Sequence, residues 1–144
     1  MPTSGSTSTD TELLARYAVP ELLELGAGAA VRATGSGVRS YLADGRGVAW
    51  HVPDTLSGRA AIDAELSAQR VTGSLARRAG STDPAVVWPR WIQCEVTAKL
   101  LGLPVLSWLG WPGLIVPGDL ARQVRVAFVP VRDVLVCCGL RAQH

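Results

Sequence analysis

The sequence predicts an α+β fold: an antiparallel sheet made of a three-stranded meander and a C-terminal hairpin, packed against two or three helices. Three observations carry that expectation. Apolar residues alternate with a period of two over residues 29–53 and again over 122–140. They recur every three or four residues over 10–25, 57–80 and 90–102. Gly, Pro and Asp clusters separate these stretches, so the change of period falls where turns are expected.

The Ser/Thr/Gly/Pro-rich residues 1–9 have no apolar period and read as a disordered tail, leaving 10–144 as a single α+β domain. Asp10 is placed to cap a helix carrying Leu13, Leu14 and Tyr17, and Pro20 divides it from a second helical piece ending at Gly26. Strands are expected at 29–34, 38–44 and 47–53, joined by Gly35-Ser36-Gly37 and Asp44-Gly45-Arg46-Gly47. Residues 57–80 read as a long amphipathic helix from Ser57 to Gly80, and Val86-Val87-Trp88 as a short strand. A further helix spans 90–102. The hairpin 122–130 and 131–140 closes the chain.

The 144 residues are one domain's length, and folding removes very roughly 15,000 Å² from water, enough for a core without a metal or disulfide staple. With 48% apolar and 18% charged residues the chain can offset its own entropy. The net charge of +2 supplies no broad field for phosphates, so no nucleic-acid partner is expected. Residues 100–116 are very apolar but contain Pro104, Pro112 and three glycines, and fall short of a membrane span, so no membrane partner is expected. Three cysteines without C-x-x-C spacing, and no signal-like N-terminus, fit a reducing cytoplasm. One Lys against thirteen Arg, in an Ala/Gly/Leu/Val-rich chain, fits a GC-rich bacterial genome.

The string Leu22-Leu23-Glu24-Leu25-Gly26-Ala27-Gly28 resembles the first motif of class I methyltransferases, in which an acidic strand end and a glycine turn cradle the cosubstrate. It covers seven residues, has Ala30 where that family has a third glycine, and precedes an expected meander, so no cofactor is expected. The predicted element order also resembles the restriction-endonuclease-like core. That resemblance implies metal-binding carboxylates and a lysine on the central hairpin, where this chain offers Asp44 and Asp54 but carries its one lysine at Lys99. No metal is expected.

A cysteine nucleophile needs a thiol, a base and an orienting acid, which Cys94, His51 and Asp54 supply by type; His51 is the one internal histidine. Core packing competes for Cys94, which sits on an apolar stripe. Cys137 and Cys138 would face opposite sides of a strand. Arg70, Arg77 and Arg78 read as a solvated face. Trp50, Trp88, Trp91, Trp108 and Trp111 are five of eight aromatics, with Arg90 between two of them. They form either a core plug or, with Leu109 and Leu114, a Trp-rich apolar loop that engages a protein partner or apolar ligand. A loop this long and irregular is unusual in a compact domain unless it serves function.

The expected function is thus a small bacterial binding or accessory module, forming a homo-oligomer to cover its sheet edges. The alternative is a small metabolic enzyme using His51 and Asp54, with Cys94, in an aromatic-lined pocket.

Overall fold

A computed structural model describes residues 9–104 and 106–143. The fold is α+β. Helix α1 spans Asp10–Tyr17, and its cap is Thr9, whose Oγ1 accepts the Glu12 N–H at 3.2 Å; Asp10 lies inside the first turn and pairs with Arg59 at 2.9 Å. The expected second helical piece is instead a 3-10 turn at Pro20–Leu22 followed by strand β1, Leu23–Ala27. The Leu-rich stretch fits either period. Pairing with its neighbour strand decides it.

Residues 28–33, expected as a strand, form α2 (Gly28–Ala33), where the one buried side chain, Val31, packs against Gly47. Alanine favours the helix where no row of large side chains demands a sheet. Strands β2 (Arg39–Tyr41) and β3 (Arg46–Trp50) complete an antiparallel sheet of order β1-β3-β2.

The expected long helix over 57–80 does not form. Its residues give the single turn α3 (Asp54–Ser57), strand β4 (Ala60–Leu66) and the short α4 (Gly73–Ala79). Ala60-Ala61-Ile62-Asp63-Ala64-Glu65-Leu66 satisfies both periods, because alanines count as apolar on either. Seven backbone pairings with the C-terminal strand, from Ala60↔Leu140 to Leu66↔Val134, outweigh alanine's helical preference. Gly80 does end α4, in the left-handed conformation.

Helix α5 runs Pro84–Leu101, so Val86-Val87-Trp88 is helix and not strand. Asp83 caps it by accepting the Ala85 N–H at 2.9 Å, Pro84 occupies the first turn, and Gly102 ends it at φ 65°. After two 3-10 turns (Ser107–Gly110 and Pro112–Leu114) and the short α6 (Gly118–Ala121), strands β5 (Val124–Val131) and β6 (Val134–Arg141) form the C-terminal hairpin. With β4 they make a second antiparallel sheet of order β4-β6-β5.

The layers follow from the side chains. Leu23, Val48 and Trp50 of the first sheet meet Ile62, Val134, Val136 and Cys138 of the second in the main core. The opposite face of the second sheet, including Ala61, Cys137 and Leu135, packs on Ile92 and Val96 of α5. The far side of α5 carries a third cluster with α4 and the Trp-rich segment. A helix covered on both sides needs no polar stripe, and α5 has almost none. Among the described residues no helix is long and apolar enough to cross a membrane.

Candidate functional site

His51 and Asp54 follow β3 and line one open cleft of about 780 Å³, together with Tyr17, Ser36 and Ser57. The loop is held by the His51 N–H donating to Leu22 O at 2.9 Å. The His51 imidazole lies 3.0 Å from Glu24 Oε2, both side chains being about half exposed. Among the described residues no hydrogen bond joins His51 to Asp54. Trp50 is buried in the main core, its indole N–H donating to Tyr17 O at 2.8 Å, and is thereby a structural anchor beneath this cleft.

Cys94 is not among the residues lining this cleft. It is fully buried on α5, where its thiol donates to Leu114 O at 3.3 Å and burial pushes it up to about 12. A thiol held that far from its thiolate is a small core side chain.

The tryptophans of the third cluster are turned inward. Trp88 and Trp91 meet edge to face at 6.5 Å between ring centres, and Trp91 tilts over Trp108 at 5.1 Å. Trp88 and Trp108 are buried, as is Leu114; Trp91, Trp111 and Leu109 are half-buried around them. The Trp88 indole donates to Gln69 O at 2.8 Å. Arg90 pins the segment from below, donating to Ala79 O at 3.0 Å and Gly113 O at 3.3 Å. Arg78 likewise donates to Leu109 O. The segment is therefore a folded cap on α5, with Leu106 and Ile115 as its exposed large apolar residues. Two of its leucines, Leu106 at φ 69° and Leu114 at φ 55°, adopt the left-handed conformation that β-carbons resist.

Where this cap meets the C-terminal half of α5, a second pocket of about 190 Å³ is lined by Ala98, Leu103, Leu106 and Trp108 with Glu95 and Lys99. Behind it stands a group of carboxyls that sequence reading missed. Asp63 on β4 is 5% exposed and accepts from Ser40 Oγ at 2.8 Å and from the Lys99 ammonium at 3.4 Å, while Lys99 also donates to Ile62 O at 3.0 Å. With all carboxyls ionised, Asp63 Oδ2 is buried without a donor. The neighbouring carboxyl is Glu95 on α5, whose protonated form is favoured by a hydrogen bond to Asp63. Burial first, then that hydrogen bond and the charge of Asp63, push Glu95 up to about 9 despite Lys99. Burial, aided by Asp63, pushes Glu65 up to about 7. The indole N–H of Trp108 is likewise buried without an acceptor among the described residues.

The signal was present in the sequence. Asp63 and Glu65 alternate with Ile62 and Ala64, which puts the acids on one face of a strand, and Glu95 and Lys99 are four apart on a helix. Reading 57–80 as helix scattered the pair.

The methyltransferase-like string does form a strand, a glycine turn and a helix, but β1 is antiparallel to its neighbour, unlike the parallel unit of that family. Gly28 is needed because a β-carbon there would meet Gly45 O at 2.8 Å. Asp44, offered by the endonuclease-like reading, is taken by Arg46 at 2.9 Å. Among the described residues no three His, Cys, Asp or Glu side chains are arranged to hold a metal ion. Comparison with protein-family models, curated proteins and solved structures finds no match to this chain.

Proposed function

We propose that this chain is a binding module whose ligand is a small, largely apolar molecule held between α5 and the Trp-rich cap. One observation carries the reading: the cap folds back on α5 around Trp108 and Leu114 and leaves an apolar pocket with two ionisable groups at its wall. A few polar groups converging on an apolar concavity are the usual make-up of a ligand site. At about 30 Å³ per water-sized group, the pocket takes on the order of six non-hydrogen atoms. The inward tryptophans favour a small ligand over a protein partner, because aromatic anchors that serve a protein interface must be offered to it. Leu106, half exposed at the rim, is placed to close over the occupant.

The test is a titration with 1-hexanol followed by tryptophan fluorescence. Saturable quenching or enhancement is expected, with an affinity about tenfold weaker in Leu106→Asp, as loss of part of one leucine's burial implies. An unsaturable response, identical in both proteins, contradicts the reading.

A further inference from the structure

Glu95 and Lys99 line the α5 pocket with Asp63 and Glu65 behind them, and the charges of three carboxyls and one ammonium do not balance when all are ionised. Asp63 and Glu65 face this place from β4, Glu95 and Lys99 from α5, and the buried Cys94 and Cys137 thiols stand nearby as neutral groups. Asp63, 5% exposed, has Oδ1 satisfied by Ser40 and Lys99 and Oδ2 buried without a donor, and burial keeps a proton on the neighbouring Glu95. That proton stands where a cation could stand. Glu95 itself lines the pocket, together with Lys99, Ala98, Leu103, Leu106 and Trp108.

Resting on the pocket reading above, we propose that the ligand is a small primary amine with an apolar tail, whose ammonium pairs with Glu95 at the pocket wall. The ammonium brings three donors, enough for Glu95 and for the carboxyl behind it. Its tail replaces water against leucine and indole, and a tryptophan face close to a cation adds attraction. The balance is explicit. A protonated Glu95 and an alkylammonium enter; an ion pair of Glu95 carboxylate with the ammonium results, and one proton leaves to solvent. The amine stays charged throughout neutral pH because its ordinary value matches that of lysine, about 10.4. Lys99 competes for the same carboxyls from the solvent side, being about half exposed.

The experiment is calorimetric titration of the full chain with 1-hexylamine, 1-hexanol and hexanoate at pH 7.5, in two buffers of different ionisation enthalpy. The expected result is hexylamine binding at least about tenfold tighter than hexanol, with about one proton released per amine bound. Glu95→Gln is expected to bring the amine down to the alcohol's affinity and to abolish proton release. Lys99→Met, an independent handle should the first variant fail to fold, is expected to strengthen amine binding. Equal affinity for amine and alcohol without proton release overturns this inference and leaves the pocket reading standing, and tighter binding of hexanoate does the same by making Lys99 the anchor. If none of the three binds, both fall.

Discussion

Cys94, Cys137 and Cys138 are the side chains whose chemistry most invites a catalytic role, and their surroundings refuse it. All three are fully buried; burial pushes Cys94 and Cys138 up to about 12 and Cys137 well above its ordinary value. A chromogenic disulfide reagent at pH 8 is therefore expected to leave the native chain unlabelled and to titrate all three thiols once denaturant unfolds it. Labelling of one thiol within seconds in the native state would show a reactive cysteine after all. Glu95 makes the opposite kind of prediction. Its native value, about 9, lies above the 4.5 of an ordinary glutamate. Between those limits the native chain keeps a proton that the unfolded chain has released. Stability contributed by this group is thus full at pH 4.5 and below and declines as pH rises toward 9. Glu65, pushed up to about 7, adds to the lower part of that decline. Urea denaturation at intervals of pH should find Glu95→Gln flatter than the parent between pH 5 and 9; parallel curves would mean that Glu95 titrates as an exposed acid.

Among the elements, α5 and the cap it carries depend on one another. Leu114 is 1% exposed between the Trp cluster and Cys94 and sits in a left-handed backbone that only its packing can hold. Leu114→Ala is expected to cost about 2–5 kcal/mol by the cavity it leaves. It should also expose residues 103–117 to protease cleavage that the parent resists. Cleavage at equal rates in both chains would show that the cap is held without this anchor. The elements also mark how far the sequence could be read. The C-terminal hairpin and the Arg39–Tyr41 and Arg46–Trp50 strands were legible because Val and aromatic residues cluster in short runs bounded by Gly, Pro and Asp turns. Gly80 and Gly102 were legible as helix ends because each takes the left-handed conformation. The stretch from Ser57 to Gly80 was not, because Ala60, Ala61 and Ala64 fit both periods and the deciding partner, β6, lies some seventy residues away. That one ambiguity hid Asp63 and Glu65, and with them the polar wall of the pocket. His51 and Asp54 stand out in the sequence by residue type alone, whereas the Glu24 that meets His51 required the β1–β3 pairing.

Taken whole, the molecule is a pair of three-stranded sheets sharing a core, with α2 on one outer face and α5 with its cap on the other. Arg46 fastens the sheets at one end, meeting Asp133 of the β5–β6 turn through two hydrogen bonds of 3.0 and 2.8 Å. Among the molecule's concave places are the open cleft of His51 and the smaller apolar pocket under the Trp-rich cap. We assign binding to the second. An NMR titration of the isotopically labelled chain with 1-hexanol separates the two directly, since each place has its own backbone amides and five indole N–H signals report the tryptophans. Shifts are expected to be confined to Trp108, Glu95, Ala98, Lys99 and Leu103, with the amides of His51 to Asp54 unmoved. Shifts centred on His51 and Ser36 and absent from Trp108 would contradict it, and would hand the function to the cleft.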